Sequence, residues 1–186
     1  IVQGGEYEDL RRHCVEELVK MDFDGYSIGG TSVGEDKPTQ YKMVRYATSY
    51  LPKDKVRYLM GVCDPIDIVE NVCNGVDIFD CVSPTRLARH GHALTRYGKI
   101  NIKNAKYKED FTPIEEGCTC YACQNYTKAY IKHLINCEET FGARLLSIHN
   151  IHYLINLTEE LRSAIKEDRL LAYREEFIKN YYGNSK

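Results

Sequence analysis

The chain has 186 residues, 43% of them hydrophobic and 28% charged, and a formal net charge of −2. Such a chain can bury a core and falls outside the disordered class. It has no apolar run long enough to cross a bilayer and no charged-then-apolar leader, so neither a membrane nor a secreted protein is expected.

The first residue is Ile1 rather than Met, and residues 1–5 read as a strand entering a turn. The chain is therefore expected to begin inside a longer protein. Over the first ninety residues two periods alternate. Short apolar stretches at 1–3, 26–28, 56–62 and 76–81 predict strands. Between them lie helical patterns. One covers about 7–21, with Leu10, Cys14 and Leu18 spaced by four, and a second covers about 39–50. A third begins with Asp64 as cap and Pro65 in the first turn and ends at Gly75. Strand–helix repeats of this kind predict an α/β fold with a parallel sheet. Four units would make half of an eight-stranded barrel, whose full length is about 250 residues. A doubly wound open sheet fits the pattern equally well.

After Pro84 the texture changes. Residues 93–97 and 99–102 flank Gly98 and read as a hairpin. A cysteine cluster follows, then helical patterns over about 125–140 and 143–182, the latter with a break near 167–169. The predicted organisation is a run of βα units over 1–90, a hairpin with a metal-binding subdomain over 91–150, and terminal helices over 151–186.

Charge is unevenly spread. Arg86, Arg89, Arg96, Lys99, Lys103, Lys106 and Lys108 fall in a stretch without acidic residues, leaving 18 basic against 27 acidic elsewhere. A basic stretch on an acidic body suits a polyanion, although a solvated basic loop has the same composition. Of eight cysteines, Cys14, Cys63, Cys73, Cys81 and Cys137 sit singly in apolar segments. Free thiols beside one cluster fit a reducing cytoplasm better than a disulfide scaffold.

That cluster is Cys118, Cys120 and Cys123, three soft ligands within six residues. Thiolates so close repel unless a cation holds them, and zinc takes four such ligands tetrahedrally. The fourth could be His149, His133 or His152 on spacing alone. A closed shell of protein ligands would make one Zn2+ structural.

Asp80 ends the apolar stretch 76–81, where βα barrels gather catalytic groups. A carboxylate there can act as nucleophile, base or metal ligand, or simply form a turn. Gln3, the Gly29-Gly30 pair and Met60 lie at corresponding ends of the other predicted strands. Each alone is an ordinary packing or turn residue, but a barrel would gather them around one pocket.

Several strings together resemble the bacterial tRNA-guanine transglycosylases: residues 2–5, 29–35, 58–62, 77–82 and 84–86, and the cluster Cys118, Cys120, Cys123 followed by Ile148-His149-Asn150. The resemblance is collinear along the chain. It implies the carboxyl-terminal half of a (β/α)8 TIM barrel with a zinc-binding insertion and terminal helices. It implies exchange of a guanine wobble base in tRNA for a 7-deazaguanine in queuosine biosynthesis. By similarity Asp80 is the nucleophile, Gln3, Gly30, Thr31 and Met60 contact the base, Arg86 and Arg89 contact phosphate, and His149 completes the zinc site. A homodimer of the whole enzyme is implied too.

Some positions depart from the family pattern. Thr31 stands for a usual Leu, Cys63 for Gly and His90 for Asn. Val33 resembles the bacterial form and favours 7-aminomethyl-7-deazaguanine as the incoming base. The family's general base lies on strands that would precede Ile1, so the chain by itself is expected not to turn over. The alternative is a non-catalytic RNA-binding or partner subunit of the same family, whose mark would be loss of the aspartate.

Overall fold

A computed structural model describes residues 1–31 and 34–183. Val33 therefore lies outside the described residues. The chain divides into two compact units, Ile1–Cys81 and Val82–Lys186.

The first unit runs α1 (Glu8–Val19), β1 (Gly25–Ile28), α2 (Lys37–Tyr50), β2 (Val56–Leu59), α3 (Pro65–Cys73) and β3 (Ile78–Phe79). The strands pair in parallel in the order β1-β2-β3, and Val2 adds a parallel bridge to Ile28. Each new strand thus lies beside the last, without the reversal of order that a doubly wound sheet requires. The register makes Val2, Ile28, Leu59 and Phe79 one level row across the sheet. Val15, Tyr26, Ile28, Val44, Ala47, Leu59 and Val62 pack together as the core.

Helix starts follow their caps. Asp36 accepts from the Thr39 amide at 2.8 Å, and Pro38 lies in the first turn, so α2 starts two residues before its apolar pattern. Asp64 accepts from the Ile66 amide at 3.2 Å and opens α3 as expected. Buried Asp67 accepts from the Tyr41 hydroxyl at 2.7 Å and pairs with Lys37, tying α3 to α2.

Three strands are shorter than their apolar stretches. The first is a single bridge. β2 stops at Leu59, and the chain turns at Gly61, whose φ is +73°. β3 starts late because the Asp77 carboxylate takes the Arg57 amide at 2.8 Å, replacing a ladder bond with a side-chain bond. The cysteine expectation also needs correction. Cys63 and Cys81 are not single buried thiols but a disulfide, with Cα atoms 5.8 Å apart. Parallel register brings the ends of β2 and β3 together, a proximity that their 18-residue separation in sequence hides.

The second unit contains α4 (Ser83–Arg89), the antiparallel pair β4 (His92–Thr95) and β5 (Gly98–Asn101), α5 (Tyr121–Asn125), α6 (Lys128–Asn136), α7 (Thr140–Lys166) and α8 (Leu170–Gly183). The hairpin turn is Arg96-Tyr97, closed by the Thr95–Gly98 pair. Gly98 is therefore the first residue of β5, at φ +100°, and not the turn centre expected from the sequence. The helix expected over 125–140 is interrupted: α5 ends before Tyr126, and Thr127 caps α6 through the Tyr130 amide at 3.3 Å. The predicted break at 167–169 is present, with Asp168 at φ +52°. Ala93, Ile102, Ile131, Leu134, Leu145 and Leu146 form the core. Among the described residues no helix is long and apolar enough to cross a membrane.

Candidate active site and metal centre

One step beyond the level row of the sheet, the next residues along the four chains are Gln3, Gly29, Met60 and Asp80. With strands about 4.8 Å apart, these ends span about 14 Å. Parallel pairing alone brings together residues that the sequence scatters over almost eighty positions.

Asp80 is exposed, and one carboxylate oxygen is occupied. Its Oδ1 accepts from the Tyr58 hydroxyl at 2.6 Å and from the Gly61 amide at 2.9 Å. These bonds, Tyr58's first, hold its carboxyl below the usual carboxylate range, so it is ionised at neutral pH. Asp77, three residues earlier, is spent differently. It receives the Arg57 guanidinium at 2.9 and 3.2 Å as well as the Arg57 amide. Among the described residues both Asp77 oxygens are taken by Arg57, whereas the side-chain and Gly61 bonds to Asp80 fall on one oxygen.

Gly30 and Gln3 pack closely. A β-carbon at Gly30 would meet the Gln3 Oε1 at 2.5 Å and would be strained by φ +62°. Glycine there lets the Gln3 carboxamide lie against the backbone. Thr31 is buried, while Met60 is exposed at the end of β2. Sequence reasoning missed Arg11. Fully buried on α1, it donates from Nε to Gly5 O at 2.8 Å, from Nη1 to Gly29 O at 3.2 Å and from Nη2 to Gly30 O at 3.0 Å. It fixes the turn that carries Gly30. Its only signal was a cation among the apolar positions of α1.

In the second unit, Cys118, Cys120 and Cys123 converge on His149, whose Nδ1 lies 3.7, 3.7 and 3.4 Å from the three sulfurs. His149 lies within α7, well past its start, and is fully buried. Its Nε2 donates to Leu94 O at 2.7 Å, which leaves the Nδ1 lone pair facing the sulfurs. Bond lengths of about 2.3 Å to sulfur and about 2.0–2.1 Å to nitrogen in a tetrahedron place N and S about 3.6 Å apart, so the four groups fit zinc. Their four ligand atoms lie within 4.8 Å of one another and could hold a metal ion. Without a cation the thiols share charge unevenly: hydrogen bonding with Cys123 pulls Cys120 down and pushes Cys123 up. The alternatives are engaged elsewhere, His152 with Thr119 and Asn156 and His133 near Cys137.

Asn150, next to the histidine, is also fully buried. It accepts from the Leu94 amide at 2.8 Å and donates to Pro84 O at 2.9 Å and His92 O at 3.1 Å. This staple fastens α4 to the hairpin and to α7. On α4, Arg86 and Arg89 are three residues apart and both exposed. The basic stretch is not uniformly free, however: Arg96 pairs with Glu160 at 2.7 Å beside a cavity of about 570 Å³.

The family model described as queuine tRNA-ribosyltransferase matches residues 1–183. The chain belongs to that family. It is 56% identical to the queuine tRNA-ribosyltransferase of Staphylococcus aureus (strain JH9) over 181 residues, covering 97% of this chain and 48% of the relative. The same figures hold for the enzyme of that name from Macrococcus caseolyticus (strain JCSC5402). The chain thus spans about half the length of the curated relatives it matches.

Proposed function

We propose that the chain is the carboxyl-terminal half of a tRNA-guanine transglycosylase, with Asp80 as the nucleophile that exchanges guanine at the wobble position. The observation that carries this reading is the ionised, exposed carboxylate of Asp80, one oxygen anchored and the other free, at the end of a sheet row that also ends in Gln3, Gly29 and Met60. Family membership and the printed names of the relatives support it.

In the proposed reaction the free Asp80 oxygen forms a bond to the anomeric carbon of the ribose. The bond from that carbon to guanine breaks, and guanine leaves with the electron pair and gains a proton. The ester is then displaced by the ring nitrogen of the incoming 7-aminomethyl-7-deazaguanine, which loses a proton, so two inversions retain configuration. Because a base inside a stack cannot be reached, the nucleotide is flipped out. Gln3 and the Gly30 backbone, held by Arg11, hydrogen-bond the base, Thr31 borders it and Met60 covers its face. Arg86 and Arg89 bind RNA phosphates.

The sequential parallel order of the first unit supports a closed (β/α)8 barrel completed by a preceding half. A Cys3His shell leaves no open position, so the zinc proposed for it is structural. The exposed Tyr121 and Tyr130, with Tyr126 between them at ring-centroid distances of 5.8 and 5.5 Å, support a homodimer contact in the whole enzyme. A reducing cytoplasm, where tRNA and its modifying enzymes meet, is the proposed location. The chain alone is proposed not to turn over, because the general base belongs to the preceding half.

Asp80→Asn in the complete polypeptide tests the reading. Incorporation of labelled guanine into tRNA is expected to fall by about 10⁴-fold or more, with no covalent RNA complex on a denaturing gel. Exchange at the original rate would overturn it.

A further inference from the structure

We infer that Cys63 and Cys81 are a reversible oxidation site that locks together the two strand-end loops holding Asp80. Cys81 follows Asp80 directly, and Cys63 lies two residues after Gly61, the amide that binds the Asp80 carboxylate. The cross-link thus spans the same two loops as that hydrogen bond, and it encloses α3 and β3. Its α-carbons lie 5.8 Å apart in the loops beyond the last paired residues of β2 and β3, Leu59 and Phe79. Reduction therefore need not displace the strands, only release the loops.

Burial sets the order of events. Cys63 is buried at 7% exposure and Cys81 is half-buried. With a small-molecule disulfide such as oxidised glutathione as oxidant, the Cys81 thiolate attacks one of its sulfurs and releases one glutathione thiolate. The Cys63 thiolate then attacks the Cys81 sulfur and releases the second. Two protein thiols lose two protons and two electrons, and one oxidised glutathione becomes two reduced ones. The consequence for catalysis rests on the reading of Asp80 as nucleophile; the cross-link itself does not.

The test uses the zinc-saturated chain in glutathione buffers ranging from reduced to oxidised, trapped with an alkylating reagent and mapped by peptide mass. Cys63 and Cys81 are expected to lose alkylation together as a linked peptide appears, while exposed Cys137 loses it only as a mixed disulfide with glutathione and so serves as an internal control. Over the same range, amide exchange at Gly61, followed by NMR, is expected to slow about tenfold on oxidation. Cys63→Ala should abolish both changes and leave Cys81 forming only a mixed disulfide. Absence of the linked peptide at every buffer ratio would overturn the inference, as would a linked peptide with Gly61 exchange unchanged. None of these readouts requires turnover, so they stand or fall independently of Asp80→Asn.

Discussion

In the second unit the polar side chains richest in partners are buried: Asn150 satisfies three backbone groups, and His149 is fastened to Leu94 while facing three sulfurs. In the first unit the key carboxylate lies at the surface, at the end of a two-residue strand, with one oxygen engaged and the other open. Arg11, the first unit's fully buried cation, ties α1 to the backbone at Gly5 and at the Gly29-Gly30 turn, and so positions a turn of the site. The contrast separates two uses of polarity. A buried group with every partner supplied specifies architecture. A group held on one side and bare on the other is poised for chemistry.

The largest effect expected from this contrast is on metal removal. Structural zinc contributes about 10–16 kcal/mol in small zinc peptides, as much as a whole domain's stability. Stripping the chain with a chelator is expected to abolish amide protection in α5, α6 and the middle of α7. The sheet Gly25–Phe79 should keep its protection, because its core is apolar. Uniform loss over both units, or persistence of protection in α5–α7, would remove the distinction.

Next come the two buried staples. Asn150→Leu nearly conserves volume but takes from Leu94 N, Pro84 O and His92 O the side chain that bonds them. A loss of about 3–5 kcal/mol in urea unfolding is expected. Arg11→Met removes bonds to three carbonyls, but Gly5 and Gly30 can turn to water, so about 2 kcal/mol is expected. Its larger consequence should be weaker binding of free guanine by the complete enzyme, measured by calorimetry. An Arg11→Met cost exceeding that of Asn150→Leu would mean that the first unit depends on its polar staple more than the second does.

The sequence made these features legible to different degrees, for physical reasons. Three cysteines within six residues point to a metal because packing seldom explains such density. The fourth ligand is 26 residues beyond Cys123 and declares itself only in space, mid-helix, so spacing could not choose among the histidines. Asp80 was readable as the end of an apolar strand, but its partners Tyr58 and Gly61 were not, since register across a parallel pair joins residues about twenty apart. The Cys63–Cys81 pair escaped for the same reason. Helix α4 was missed because its seven residues are too few to show a period and Pro84 reads as a break, although Pro is well placed in a first turn.

The smallest effect, and the most specific, belongs to Tyr58→Phe. Tyr58 is half-buried and belongs to neither apolar core, so the fold should survive unchanged by amide exchange and circular dichroism. What changes is Asp80. Its carboxyl is lowered first by the Tyr58 hydrogen bond and then by the Gly61 amide, so losing the first should raise it towards the ordinary carboxylate value. The sign follows from linkage. A group with a depressed folded value stabilises the fold above its unfolded value, and that contribution disappears as the pH falls through the folded one. In the variant that contribution should be smaller and should be exhausted at higher pH, and the acid limb of guanine exchange by the complete enzyme should move up with it. Carbon-13 NMR of the Asp80 carboxyl in the chain measures the shift directly. If removing the hydroxyl left that titration where it was, the Gly61 amide alone would hold the carboxylate, and the anchored side of the proposed nucleophile would be backbone rather than side chain.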